Sequence, residues 1–147
     1  MSELITGTPG RARRMEPLDP AECLRLAGSV PFGRIVFTQR ALPAIRPVNH
    51  VVVDGAVVIR TNEGSALTIA AQNPDTRGVV VAFEADAIDP VDRLGWSIVV
   101  TGFAELVTDP AEIRRYSRQV HPWIEGTMDS VVRIRPDLVT GFRLTAD

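Results

Sequence analysis

The segment RPVNHVVVDGAVVIRT, residues 46–61, carries the clearest structural signal in the chain. Two β-branched apolar runs flank Asp54-Gly55, and a two-residue link of this type predicts an antiparallel hairpin with a type I′ turn. Pro47 has no backbone N–H to give to a strand ladder, so it indicates an edge or a bulge. The segment therefore predicts two paired strands, Ala44 to Val53 and Ala56 to Thr61.

Apolar alternation with a period of two continues on both sides of this hairpin, and Gly, Pro and Asp bound each run. In the last run Val132 and Ile134 alternate with two arginines that we expect to face solvent, Arg133 and Arg135. Together with the hairpin these runs give about six strands. The other four are predicted at Gly33 to Thr38, Gly78 to Glu84, Ser97 to Val107, and Val131 to Leu144 with a break at Pro136.

Helices are predicted at two Asp-Pro-Ala-Glu tetrads, residues 19–22 and 109–112, which place an acidic cap before a proline at the first helical position. A shorter helical run covers Ala66 to Ala71. The chain is thus expected to be mostly β with two or three short helices. Short, closely spaced strands favour an antiparallel closed or split β-barrel over a doubly wound sheet.

Length and composition limit the possible classes of protein. The 147 residues are 45% hydrophobic, enough for one core, and we expect one domain over residues 16–147 with a flexible N-terminal arm over residues 1–15. No apolar stretch approaches the roughly 20 residues that span a bilayer, and the N-terminus lacks a secretory pattern, so a cytoplasmic protein is expected. The net charge of −2 argues against a nucleic-acid partner. The single cysteine, Cys23, argues against a multi-cysteine metal site, and no metal is expected.

A candidate anion site lies where the second hairpin strand meets the short helix. Thr61, Asn62, Gly64 and Ser65 cluster there, and such a junction presents hydroxyl and N–H groups to an anion. The same residues also serve as an ordinary helix cap. Arg46 on the facing strand favours a phosphate, although a structural ion pair is the alternative for its guanidinium.

Two further residues of the hairpin are candidates. His50 shares the parity of Arg46, Val48 and Val52. It is a weak candidate for protonating a substrate, and a hydrogen-bonded structural role is the alternative. Arg60 points to the face opposite Thr61, where solvation or an ion pair is expected.

Four stretches, in order and spacing, resemble the pyridoxamine 5'-phosphate oxidase family in its bacterial flavin-nucleotide-binding branch. The similarity spans roughly residues 15–145 and implies an FMN-binding split barrel. The stretches are Met15-Glu16-Pro17-Leu18 with Gly33-Arg34-Ile35-Val36-Phe37; Arg46-Pro47-Val48-Asn49; Ile59-Arg60-Thr61 with Glu63-Gly64-Ser65-Ala66-Leu67; and Gly95-Trp96-Ser97-Ile98-Val99-Val100-Thr101-Gly102.

The resemblance also implies a cofactor site at a homodimer interface. The isoalloxazine would lie against Arg46, Pro47, Val48 and Asn49, and the phosphate near Arg60, Thr61, Ser65 and Ala66. Trp96 would border the cofactor or the dimer seam, with packing at the barrel end as the alternative. His121-Pro122-Trp123 would close the second helix, where Trp123 could line the pocket from the neighbouring subunit.

One position departs from the family pattern. Many FMN-binding members carry a lysine or arginine just after the serine-like position, and here that residue is Ala66. Arg46, Arg60 or Arg77 would then supply the positive charge.

The resemblance implies an FMN-dependent oxidoreductase that passes hydride to a small unidentified substrate. One alternative is a reductase of the same fold that uses the deazaflavin coenzyme F-420. Another is a non-enzymatic flavin or haem carrier or sensor, for which His50 and His121 are the only histidine ligands.

Overall fold

The computed structural model describes residues 13–62, 65–72, 78–120 and 130–146. Seven strands and three helices follow one another in these ranges. They are β1 (Arg13–Pro17), α1 (Pro20–Ala27), β2 (Phe32–Gln39), β3 (Leu42–Val53), β4 (Ala56–Thr61), α2 (Ala66–Ala71), β5 (Val79–Ile88), β6 (Gly95–Leu106), α3 (Pro110–Gln119) and β7 (Ser130–Ala146).

The strands form one antiparallel sheet that closes on itself. Its order is β1-β7-β4-β3-β2-β5-β6. An additional pairing between β6 and β7 closes the six strands β2 through β7 into a ring. Strand β7 pairs with β4 through its first residues and with β1 through its last. The predicted antiparallel split barrel is confirmed.

The central hairpin has the predicted form. Val53 pairs with Ala56, and the two linking residues, Asp54 and Gly55, have φ of 52° and 78°, as a type I′ turn requires. A second two-residue turn, Arg40-Ala41, links β2 to β3 with φ of 52° and 65°. Because neither residue is glycine, aspartate or asparagine, this turn lacks the usual sequence signal.

The last strand was predicted to break at Pro136, and this prediction is wrong. Strand β7 continues through this residue, and the β6–β7 register shifts between Thr101 and Gly102. Gly102 pairs with Pro136 and Thr101 with Leu138, which leaves Asp137 as the extra residue. A bulge accommodates proline without ending the strand.

The inner face of the ring holds the main core. Fully buried residues come from β2, β4, β5, β6 and β7, and α1 adds Cys23, Leu26 and Ala27 at one end. The chain approaches itself closely here: a Cβ on Gly33 would lie 2.2 Å from the Phe83 ring. Glycine is therefore the residue that fits between β2 and β5.

Helix α3 covers part of the outer face and encloses a second, smaller core. Its buried members are Val58, Val107, Tyr116, Val120 and Val131. Asp109 caps α3 by accepting from Ala111 N, and Asp19 caps α1 by accepting from Glu22 N. The two predicted capping tetrads therefore start both of the longer helices.

The N-terminal strand was not predicted. Residues 13–15, assigned to the arm from the sequence, belong to β1 and pair with Leu144–Ala146 of β7, while residues 1–12 lie outside the described part. None of the described helices is long and apolar enough to cross a membrane.

Candidate functional site

Strand β3 has two different halves. From His50 to Val53 it pairs with β4 on one side, whereas Leu42 to Asn49 pair with β2 on the other. Within the described strands, the first half meets a neighbour along one edge only, because β4 ends at Thr61 and the chain turns into α2. Arg46 and Pro47 lie on this half and are exposed; Val48 and Asn49 are half-buried.

The backbone direction along this half follows from one hydrogen bond. His50 N donates to Pro31 O at 3.3 Å, so even-numbered residues of β3 turn their backbone groups toward β2 and odd-numbered ones turn theirs away. Pro47 thus stands where its missing N–H would face the open edge. The edge predicted from Pro47 is present in the structure.

A cluster of three hydroxyls fills the junction between β4 and α2. Thr61 Oγ1 lies 2.8 Å from Ser65 Oγ, which lies 2.8 Å from Thr68 Oγ1, and Thr61 also contacts Thr68. Ser65 Oγ accepts from Thr68 N at 3.1 Å and so caps α2. Asn62 O accepts from both threonine hydroxyls at 2.9 Å. Thr61 and Thr68 are buried, and Ser65 and Ala66 are half-buried.

The protons in this cluster can be counted. Three hydroxyls supply three protons to five oxygen–oxygen contacts. When Thr68 donates to Asn62 O and Thr61 donates within the cluster, both buried hydroxyls are satisfied. Ser65 already accepts a backbone N–H, so its own proton can turn outward without leaving a buried group unpaired.

The predicted arginines occupy different faces. Arg46 has the parity of His50, and His50 pairs with Ile59, so Arg46 leaves the same face of the sheet as Thr61. Its guanidinium donates to Ile45 O at 2.8 Å. Arg60 lies on the opposite face, where its NH1 donates to Val120 O at 3.3 Å at the end of α3. Of the two, Arg46 stands on the face that carries the hydroxyl cluster.

His50 is deeply buried, with only 4% of its surface exposed. Its Nε2 lies 2.6 Å from Ala27 O, to which it donates, and its ring meets Phe83 edge to face. Nδ1 has no hydrogen-bond partner among the described residues. Burial lowers the pKa of the imidazole, and the bond to Ala27 opposes this shift. These contacts favour the structural alternative over substrate protonation.

Trp96 lies far along the barrel from the hydroxyl cluster. It is 7% exposed in the main core and pairs with Arg143 of β7, whereas Thr61 pairs with Ser130. The two positions on β7 are separated by about 40 Å of strand at roughly 3.3 Å per residue. Trp96 belongs to the main core, against which the predicted site residues Val48 and Ala66 pack, and its cofactor contact stays a prediction.

Other candidates lie outside the described residues: Gly64, Arg77, His121 and Trp123. Thr68 was missed, because a threonine three residues after Ser65 is not the Glu or Gln of the capping box. Among the described residues, no group of three His, Cys, Asp or Glu side chains could hold a metal ion.

The solvent-facing position predicted for Arg133 is wrong. Only 16% of its side chain is exposed, because α3 covers it. It contacts Glu105 at 2.9 Å and Glu112 at 2.6 Å, and it donates to Tyr116 OH at 3.2 Å. Arg135 is exposed as predicted and pairs with Glu105 at 2.6 Å.

Comparison with known proteins assigns the chain to a family. The sequence profile of a family described as pyridoxamine 5'-phosphate oxidase matches residues 19–143. The chain therefore belongs to the pyridoxamine 5'-phosphate oxidase family, as the resemblance predicted.

Individual relatives share most of this chain. The uncharacterized protein Rv0080 of Mycobacterium tuberculosis is 52% identical over 140 residues, which cover 95% of this chain and 92% of that protein. A solved structure of an FAD-binding protein from Mycobacterium smegmatis is 38% identical, with a TM-score of 0.70 over 86% of this chain and 97% of that one. A candidate pyridoxamine 5'-phosphate oxidase from Corynebacterium glutamicum is 31% identical, with a TM-score of 0.72 over 96% and 99%.

Proposed function

We propose that this protein binds a flavin nucleotide beside the open edge of β3 and acts, as a homodimer, in hydride transfer to a small substrate. The observation that carries the proposal is the open edge at Arg46 to Asn49, next to the hydroxyl cluster of Thr61, Ser65 and Thr68. Support comes from the family and from a 38% identical relative that binds FAD. FMN and FAD share the riboflavin 5'-phosphate portion, and the proposal concerns that portion.

The chemistry of these residues suits this portion. An exposed strand edge offers backbone groups to the polar edge of a flat ring, as edge strands offer them to peptides. Arg46, Pro47, Val48 and Asn49 would lie against the ring. Ring binding would then depend mainly on backbone atoms, and side-chain changes there would tune affinity.

The phosphate would need a cation, because Ala66 brings none. Arg46 leaves the face that carries the hydroxyl cluster, and its NH1 donates to the carbonyl of its own neighbour, Ile45. Its remaining N–H groups can therefore reach an anion, while Ser65 can turn its proton toward the same group. A charge-assisted contact of this kind contributes about 1.5–3 kcal/mol. Arg60 would contact the phosphate only from the opposite face of the sheet.

A bound flavin would supply the hydride chemistry itself. The chain would bind the ring, orient it against β3 and keep water from part of it. This division of labour fits a site that contains hydroxyls and arginines and whose one histidine, His50, is buried. Arg60 and Trp96 remain proposed contacts of the flavin.

The second subunit is proposed to dock on the outer face of the sheet. Apolar side chains there are exposed, including Ile45 at 57%, Val80 at 55% and Leu138 at 58%. This face spans five strands spaced about 4.8 Å apart and four rows of residues spaced about 6.8 Å apart. Its area is therefore roughly 650 Å². That area is close to the roughly 800 Å² per partner of a stable interface.

Two alternatives remain candidates. The deazaflavin coenzyme F-420 would use the same fold with charges placed elsewhere, which fits a loop that carries Ala66. A non-enzymatic carrier or sensor would bind flavin or haem without turnover. The bond of His50 to Ala27 O makes this residue a poor haem ligand.

Titration of the purified protein with FMN, FAD, riboflavin and F-420, followed by flavin fluorescence, tests the proposal. We expect Arg46→Ala to weaken FMN and FAD binding by about 1–3 kcal/mol and riboflavin, which lacks the phosphate, by much less. Arg114→Ala, an exposed arginine on α3, is the matched control and should change nothing.

Four outcomes separate the alternatives. Failure of all four ligands to bind overturns the proposal. Binding of F-420 without binding of the flavins supports the deazaflavin-dependent reductase. Flavin binding without oxidation of reduced nicotinamide in the presence of electron acceptors favours a carrier. If Arg46→Ala lowers thermal stability and leaves the ratio of FMN to riboflavin affinity unchanged, Arg46 is structural.

A further inference from the structure

A charged trio lies on the outer face of the barrel. Arg34 NH1 lies 3.3 Å from Glu84 Oε1 and 3.6 Å from Asp86 Oδ2. Glu84 and Asp86 are two residues apart on β5, so their side chains leave the same face. Arg34 therefore lies within ion-pair distance of two carboxyls that stand on the same face of β5.

The strand registers place this trio near the middle of the exposed face. One row across five strands runs Pro47, Arg34, Glu84, Val99, Thr140. The neighbouring row runs Ile45, Val36, Ala82, Thr101, Leu138. A partner broad enough to cover these apolar residues must also cover the trio.

The trio is not neutral when all its groups are ionised. One guanidinium faces two carboxylates, which leaves one net negative charge. Partial burial, and then Asp86, raise the pKa of Glu84 to about 7, against the opposing effect of Arg34. Facing residues from the other packed strands bring no further charge: Val99 and Ser97 come from β6, and Pro47 comes from β3.

We propose that protonation of Glu84 controls the homodimer, so that the two chains associate tightly when Glu84 is neutral and weakly when it is ionised. This inference rests on the proposed docking of a second copy on the outer face. A two-fold dimer buries the trio of each chain, hence two net negative charges when both glutamates are ionised and none when both are protonated. Burying uncompensated charge is costly, whereas burying a balanced trio is much less so.

The direction of the pH dependence follows from linkage. Burial in the interface favours the neutral acid, so the dimer holds its protons to a higher pH than the free chains do. The extra stability of the dimer is fully present below the pKa of the free chain, about 7, and is lost as the pH rises above it. Because two glutamates lose protons per dimer, we expect the dissociation constant to rise roughly tenfold or more between pH 6 and pH 8.5.

Sedimentation equilibrium of the full chain at pH 6, 7 and 8.5, at constant ionic strength, tests the inference. Glu84→Gln keeps a hydrogen-bonding group and removes the charge, so it should dimerise tightly at all three pH values. Asp86→Asn should also remove most of the weakening at pH 8.5. Glu16→Gln, the same change on exposed β1 outside the face, should keep the wild-type pH dependence.

The possible failures are distinguishable. A chain that is monomeric at every pH overturns the proposed homodimer and this inference with it. A dimer whose dissociation constant is the same at pH 6 and pH 8.5, or smaller at pH 8.5, overturns the inference and leaves the homodimer standing. A pH dependence in Glu84→Gln equal to that of the wild type overturns the role of Glu84.

Discussion

The inner and outer faces of the barrel sheet differ most clearly at two neighbouring residues of β6. Ile98 points inward and is fully buried, whereas Val99 points outward and is 37% exposed. Both are β-branched and both occupy regular ladder positions. The difference teaches that the inner face fixes the fold, while the outer face keeps apolar area that the single chain does not need.

The largest effect should come from removing inner-face volume. We expect Ile98→Ala to lower the free energy of unfolding by about 2–5 kcal/mol, because it leaves a cavity in a closed core. Val99→Ala, at the neighbouring position, should lower the free energy of unfolding by less than about 1 kcal/mol per chain. Urea unfolding of both variants at equal protein concentration measures the contrast, and equal losses would contradict the assignment of the two faces.

A smaller effect is expected from adding volume to the inner face. A Cβ on residue 33 would lie 2.2 Å from the Phe83 ring and 2.8 Å from Glu84 O, so Gly33→Ala should cost about 1–3 kcal/mol. Phe83→Leu should relieve part of this crowding. In a double-mutant cycle the two changes together should therefore cost less than their sum, and strict additivity would contradict the close approach.

A pH-dependent effect is expected from the one histidine of the inner face. The lowered pKa of His50 means that the unfolded chain takes up a proton at a higher pH than the folded chain does. Stability from the neutral ring is complete above about pH 6.5, the ordinary histidine value, and declines as the pH falls below it.

Urea unfolding at pH 8, 6.5 and 5 measures this decline. His50→Gln should flatten it, since the amide carries no titrating proton. His121→Gln, which changes the other histidine, is the control and should keep the wild-type decline. Identical pH profiles for the wild type and His50→Gln would show that another group is responsible.

The smallest effect on folding should come from the outer face. Leu138→Asp places a charge on a residue that is 58% exposed, so the unfolding free energy of the single chain should change by about 0.5 kcal/mol or less. Dimer formation should nevertheless weaken strongly. Val91→Asp, at an 89% exposed loop position, is the control for charge alone. A loss of folding in Leu138→Asp would show that this residue belongs to the core.

Local sequence patterns predicted the elements whose cause is local. Strand β4 has the predicted bounds because Asp54-Gly55 fixes its start, and the capping acids Asp19 and Asp109 fix both longer helices. Strand β1 was missed because Arg13–Pro17 shows no apolar alternation and all five residues are exposed. It is a strand only because β7 supplies its hydrogen-bonding partner.

The candidate site was predicted less completely, because parts of it depend on non-local contacts. Parity correctly placed Arg46 on the face of His50 and Arg60 on the face opposite Thr61, because both strands are regular up to the hairpin. Parity could not show that α3 would fold over Arg133, or that Trp96 of β6 would pair with Arg143 near the end of β7. Those facts depend on contacts between segments distant in sequence, which periodicity does not report.

The position of β7 in the ring has a consequence for synthesis on the ribosome. This strand joins β4, β6 and β1, which are separated along the chain, and it is made after all the other described strands. Until residues 130–146 leave the exit tunnel, the nascent chain has β4 and β6 with unfilled edges and no closed core. Early-made strands would therefore be open to wrong pairing until β7 emerges, and closure of the barrel would be a late, long-range step.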